Sequence, residues 1–133
     1  MTTYVTENPT TGAVERTFET MTDEQVQDTL ARAAAAYQQW RTSPIEARVR
    51  MLRDTAAAYR ERADELAAVV TKEMGKPLAQ AHGELALTAA IYDWYAEHGP
   101  AQLESEELDP QGATESIITR SPIGTILGVM PRN

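Results

Sequence analysis

Cysteine is absent from the 133 residues. That excludes disulfides, thiolate zinc sites, iron–sulfur ligation and any thiol nucleophile carried by this chain. Glycine and proline number only seven each, and the aromatics amount to one Phe, two Trp and five Tyr. Alanine is abundant, and the balance favours helix over a β-sandwich. Positive charge is scarce: twelve basic residues face twenty acidic ones, a net charge of −8. Phosphate neutralisation on a nucleic acid and adhesion to an anionic membrane are therefore not expected. No apolar run approaches the ~18 residues of a membrane span. The start, Met1-Thr2-Thr3-Tyr4-Val5-Thr6-Glu7, lacks a basic region followed by an apolar stretch, so no secretory signal is read and a cytoplasmic protein is expected.

What is present reads mainly as helix. Tyr4 and Val5, the turn formers Asn8-Pro9-Thr10-Thr11-Gly12, and Val14 to Phe18 predict a β-hairpin. Thr22 with Gln25 predicts a capping box, and Val26, Leu30, Ala33, Tyr37 and Trp40 lie on one face of the helix that follows. Ser43 as cap, Pro44 at the first helical position and Glu46 as reciprocal partner predict a second helix. It runs to Gly75, a left-handed terminator, with a break expected near Arg62 to Asp64 if Asp64 caps a separate shorter helix. A third helix is expected from Leu78 to His98, ended by Gly99-Pro100. Glu104 to Asp109 then reads as a solvated acidic connection, and Thr114 to Arg120 as a strand centred on Ile117 and Ile118. After the turn Ser121-Pro122-Ile123-Gly124, the run Thr125 to Met130 has the pattern of a strand buried on both faces of a parallel sheet. Burying Ile126, Leu127 and Val129 would contribute about 1.5–3 kcal/mol each, but only against partner strands. Only Pro131-Arg132-Asn133 follows, so the chain reads as a fragment of a longer α/β subunit.

Few residues suggest chemistry individually. Gly75-Lys76 lacks the glycine spacing of a phosphate loop, and Pro77 stands where a hydroxyl residue is required. A cation at a helix C-terminus explains Lys76 more simply. His82 and His98 have no companions at metal-ligand spacing, and no metal site is expected. Tyr92, Trp94 and Tyr95 read as packing with polar tips, and Arg48, Arg50, Arg53, Arg60 and Arg62 as a salt-bridged helix face. Asn133 stands out by context. It follows the expected buried strand, and active sites of open α/β sheets lie beyond the carboxyl ends of strands. An amide there can donate to a developing oxyanion, a contribution of ~3–4 kcal/mol to the barrier.

Taken in order, Asn8-Pro9-Thr10-Thr11-Gly12, Trp40 before Pro44, Arg48 and Leu52, Glu73-Met74-Gly75-Lys76-Pro77, Pro122-Ile123-Gly124 and Gly128-Val129-Met130-Pro131-Arg132-Asn133 resemble the front of the aldehyde dehydrogenase superfamily. Gly75 to Ala81 and the N-terminal segment look most like its succinate-semialdehyde dehydrogenase branch. The resemblance implies oxidation of an aldehyde to a carboxylate with NAD or NADP, through a cysteine thiohemiacetal released by a glutamate-activated water. It implies that Asn133 donates its side-chain amide to the oxyanion, and that Met130, Pro131, Arg132 and Asn133 lie beside the cofactor. Family members usually carry an aromatic residue, commonly Trp, where this chain has Arg132. A guanidinium packs differently from an indole. The nucleophile and the general base lie outside these residues, so the isolated polypeptide is expected to be inactive.

The implied fold is an α/β family fragment, mostly helical here. Residues 1–113 form the hairpin and the helical part of the cofactor domain. Residues 114–124 form an oligomerisation-arm strand and turn whose edge is expected to be unpaired, and residues 125–133 the first strand of a Rossmann-like sheet. The expected partners are a small-molecule aldehyde and, for the complete enzyme, further copies of itself, with no nucleic acid or membrane. The competing reading is a non-catalytic acidic helical interaction module.

Overall fold

A computed structural model describes residues 3–109, 112 and 115–129. The order is a hairpin of β1 (Tyr4–Glu7) and β2 (Val14–Phe18), then four helices, α1 (Asp23–Trp40), α2 (Ile45–Glu61), α3 (Ala63–Met74) and α4 (Leu78–Leu103). A second, minimal pair of strands closes it, β3 (Glu106–Glu107) and β4 (Ile117–Ile118). The mostly helical character, the hairpin and the C-terminal strands agree with expectation.

The hairpin is antiparallel, pairing Tyr4 with Phe18 and Glu7 with Val14, with a bulge between Thr6 and Glu7. Its loop is closed by Asn8. The Asn8 carbonyl accepts from Gly12 N–H at 2.8 Å and its side chain accepts from Thr10 N–H at 2.9 Å. Gly12 takes the left-handed conformation that such a turn favours, φ 68°.

α1 starts as expected. Gln25 N–H donates to the Thr22 hydroxyl at 3.2 Å, and Thr22 N–H donates to the Gln25 side-chain oxygen at 2.9 Å. α2 does not start as expected. Ser43 is not its cap: the Ser43 hydroxyl instead donates back to the Trp40 carbonyl at 2.7 Å and accepts from Arg48 Nε at 3.1 Å. These bonds to near neighbours in the chain take the hydroxyl away from the cap.

The stretch from Pro44 to Gly75 is two helices, broken at Arg62 (φ −104°, ψ 18°). Asp64 is not the cap of α3; it sits in the first turn, where a carboxylate complements the helix dipole. Arg62 pairs with Glu65 across that turn at 2.7 Å. α3 ends as expected at Gly75, φ 69°. A Cβ there would also lie 3.0 Å from the Pro9 ring, so the glycine serves both the helix stop and the seat of the hairpin. Lys72 holds Glu15 of β2 at 2.7 Å alongside it.

Gly99-Pro100 does not end the last helix, which continues to Leu103. An interior proline removes one hydrogen bond. Here it is offset by packing: Pro100 and Leu103 line an apolar groove with Trp40, Ile45, Val49 and Tyr95. α4 is the spine, with α2 and α3 both laid along it. The core is Ala56, Ala67, Ala81, Leu85, Ala89 and Ala96. Small side chains let the backbones approach closely, and Tyr59 stacks on Tyr92 beside them at 5.8 Å. Arg60 of α2 pairs with Asp93 of α4, and Lys76 with Glu84. Within the arginine series, Arg60 thus ties α2 to α4, while Arg62 makes a local i,i+3 ion pair of the expected kind.

Beyond α4 the acidic stretch is not simply a solvated connection. Glu106 and Glu107 pair antiparallel with Ile118 and Ile117, so the expected arm strand has a paired edge. That strand is confined to Ile117–Ile118 among the described residues; Thr114 lies outside them. Residues 121–129 belong to no strand among the described residues, and Ile126 and Leu127 are 74% and 87% exposed. A parallel strand needs a neighbour to take its backbone hydrogen bonds, and no such neighbour is described here.

Candidate functional site

Met130, Pro131, Arg132 and Asn133 lie outside the described residues. The structure instead defines the path that leads to them. Arg120 donates to the Glu104 carbonyl at 2.6 Å and lies 3.7 Å from Glu106, which ties the β4 end of that path to the foot of α4. The segment then crosses α1. Tyr37 Oη donates to the Pro122 carbonyl at 3.0 Å, and Thr125 Oγ1 donates to the Ala33 carbonyl at 3.3 Å. Gly124, between these two ties, is at φ 122°, a conformation that side-chain-bearing residues rarely adopt.

α1 is itself held at its C-terminal end by Arg48 of α2. The guanidinium donates to the carbonyls of Trp40 and Arg41 at 3.3 and 3.0 Å, and its Nε to the Ser43 hydroxyl. A cation on the last carbonyls of a helix meets both the unsatisfied acceptors and the negative end of the dipole. Arg48, one of the residues carrying the family resemblance, thus acts as a clamp between helices. Sequence reasoning placed it on a solvated face and placed Tyr37 in an apolar stripe. The available signal was the Tyr37 hydroxyl, a polar atom in that stripe that needs a partner.

The histidines have local roles. His98 Nδ1 lies 2.9 Å from the Trp94 carbonyl and its ring stacks on Trp94 at 4.6 Å; His82 lies 3.5 Å from Asp64. Among the described residues no group of His, Cys, Asp and Glu is arranged to hold a metal ion. Glu15 is held below the ordinary carboxylate range, chiefly by its hydrogen bond from Lys72. Glu65 is lowered likewise by its hydrogen bond from Arg62.

The described residues do not by themselves fit a dinucleotide. A pyrophosphate favours a helix N-terminus free of negative charge. The first turns of α1, α2 and α3 carry Asp23 and Glu24, Glu46, and Asp64 and Glu65. α4 has no acidic residue in its first turn, but Lys76 beside it is engaged by Glu84. No helix among the described residues is long and apolar enough to cross a membrane.

Comparison with known proteins explains the combination. The profile of the aldehyde dehydrogenase family matches residues 2–133. The succinate semialdehyde dehydrogenase (NAD(P)+) Sad of Escherichia coli K12 is 40% identical over 126 residues, covering 95% of this chain and 27% of that protein. The succinate-semialdehyde dehydrogenase (NADP(+)) of Deinococcus radiodurans is 39% identical over 131 residues, covering 98% and 27%. Among solved structures, the succinic semialdehyde dehydrogenase of Streptococcus pyogenes in complex with NADP+ superposes with a TM-score of 0.76 at 38% identity, over 80% of this chain and 24% of that one. Gox0499 superposes at 0.88 and 31% identity over 92% and 27%. The chain therefore spans about a quarter of the length of the curated relatives it matches, and the match leaves the interaction-module reading without support. A family profile that runs from the hairpin through to Asn133 places this chain in the aldehyde dehydrogenase family.

Proposed function

We propose that this chain is the amino-terminal part of a cytoplasmic, NAD(P)-dependent aldehyde dehydrogenase that oxidises succinate semialdehyde to the dicarboxylate. The observation that carries the reading is the family match across residues 2–133, which includes the closing motif Gly128 to Asn133. NAD or NADP is the cofactor of this reading. The nucleophile is a cysteine thiolate outside these residues, since the chain has no Cys. As the carbon–sulfur bond forms, the carbonyl π electrons move to oxygen, and the Asn133 side-chain N–H donates to that developing charge. Met130 and Pro131 form the nicotinamide-side wall, with Arg132 in place of the usual aromatic residue. In the complete subunit, residues 114–124 serve as the arm through which copies associate, and Ile126, Leu127 and Val129 enter the nucleotide-binding sheet.

A chimera in which this chain replaces the matching part of the E. coli relative tests the reading. It is expected to reduce NAD or NADP in the presence of succinate semialdehyde, followed by absorbance of the reduced nucleotide. Asn133→Ala is expected to lower kcat by about 10²–10³, the usual effect of removing one oxyanion donor. The 133-residue polypeptide alone is expected to be inactive. Turnover by that polypeptide, or a chimera indifferent to Asn133→Ala, overturns the proposal.

A further inference from the structure

We propose that a cleft where the end of α1, the start of α2, the end of α4 and the turn after β4 meet binds a small organic anion. Arg41 and Arg48 would hold its oxyanion head, and a short apolar body would lie against the cleft wall. The cleft has a volume of about 510 Å³, within the range that small-molecule sites occupy. Ile45, Pro100, Leu103 and Pro122 supply the apolar lining, and Arg41 and Arg48 supply charge. None of these residues belongs to the motif Gly128 to Asn133, and the binding does not depend on the oxidation proposed above.

The two arginines are held differently from most of the cations whose partners have been described. Arg60, Arg62, Lys72, Lys76 and Arg120 each meet a carboxylate. Arg48 is half-buried and donates only to neutral acceptors, the Trp40 and Arg41 carbonyls and the Ser43 hydroxyl. These bonds use Nε and Nη2 and leave the Nη1 donors over. Arg41 lies 5.7 Å over the Tyr37 ring, and its guanidinium makes no hydrogen bond or ion pair among the described residues. Arg48 Nη2 stands 3.0 Å from the Arg41 carbonyl, so the clamp that ends α1 also brings the two arginines to one cleft. Arg120 and Glu104 line it too, and Arg120 is offset by Glu106 at 3.7 Å. Two arginines then face one carboxylate, a local positive excess in a chain of net charge −8. The field of the whole chain repels anions, so one retained here must be held by the cleft itself. Spare guanidinium donors beside an apolar wall suit a carboxylate or a phosphate ester carrying a hydrocarbon tail.

Hexanoate, hexyl phosphate and hexanol are the probes, titrated into the isotope-labelled 133-residue chain. The reporter is the Arg48 Nε–H resonance, because its bond to the Ser43 hydroxyl lies in the cleft. Hexanoate or hexyl phosphate is expected to shift it saturably, and the tighter of the two identifies the head group as carboxylate or phosphate. Hexanol is expected to produce no saturable shift. Arg41→Met is expected to weaken binding of the better anion by about fivefold, the upper worth of an exposed charge pair. Arg50→Met removes the same charge from α2 at a residue that does not line this cleft, and is expected to leave the affinity unchanged. Arg41 and Arg50 are both exposed, so both variants are expected to fold as the parent does. The proposal is overturned if neither anion binds saturably, or if hexanol binds as well as they do. Equal losses for Arg41→Met and Arg50→Met would mean diffuse charge attraction and overturn it too.

Discussion

In the body formed by α2, α3 and α4, six residues are buried, five of them alanines; α1 and the described residues of 121–129 bury none. The two regions are held by different forces. The body closes because small side chains bring helix backbones together along α4, and the gain is distributed over many weak contacts. The α1–tail region is held at points, by the Arg48 clamp and the two hydroxyl–carbonyl bonds. A distributed core follows from periodic apolar positions. Point contacts depend on where two distant stretches happen to meet.

Substitutions that act on one region and spare the other sharpen this contrast. Leu85→Ala removes the largest buried side chain of the core and is expected to cost about 2–5 kcal/mol, read as a large fall in Tm or loss of cooperative unfolding by circular dichroism. Gly75→Ala forces a side chain into a left-handed site against Pro9. It is expected to cost about 1–2 kcal/mol, and to loosen the hairpin more than α4 in hydrogen exchange. Leu127→Ser, at a residue 87% exposed, is expected to shift the stability of the 133-residue chain by no more than about 0.5 kcal/mol in denaturant titration. A large effect there would mean that the tail is packed rather than point-held.

The smallest expected effect is electrostatic. Glu15 is held below its ordinary pKa chiefly by the hydrogen bond from Lys72. Its folded pKa is depressed, so its contribution is present above the ordinary carboxylate pKa and is lost as the pH falls through the lowered value. Wild type and Glu15→Gln are therefore expected to differ slightly at neutral pH and to converge in acid, measured by paired thermal melts. A difference that grows in acid would contradict the assignment. The pair is partly solvent-exposed, which keeps the effect small.

Much of the local structure was legible in the residues. The Thr22–Gln25 capping box, the Gly75 stop and the Asn8 to Gly12 turn rest on local chemistry, and each formed as its residues dictate. Expectations and structure part where a local signal met a competing use of the same groups. Ser43 carries cap chemistry, but Arg48 and the Trp40 carbonyl take its hydroxyl. Pro100 carries stop chemistry, but the groove against Trp40, Ile45 and Val49 carries α4 past it. The acidic run from Glu104 to Asp109 is exposed, as it reads, but Glu106 and Glu107 also pair with Ile118 and Ile117, which local composition does not announce. At the candidate site the motif through Asn133 was recognisable from residue types alone. The route by which Tyr37 and Thr125 grip its approach was not, because those partners are separated by 85 and 92 positions along the chain.

By itself the sequence determined the helical stretches, the Thr22 cap, the Gly75 stop, the hairpin and membership of a family, because these depend on neighbours within a few residues or on motifs in order. The tertiary structure alone decided which polar side chains act as ties. Arg48 on the end of α1, Lys72 on Glu15 and Tyr37 on Pro122 each join separate elements of the chain. A hydrogen bond reports geometry across space, and local periodicity carries no information about which distant carbonyl will stand in front of a given hydroxyl.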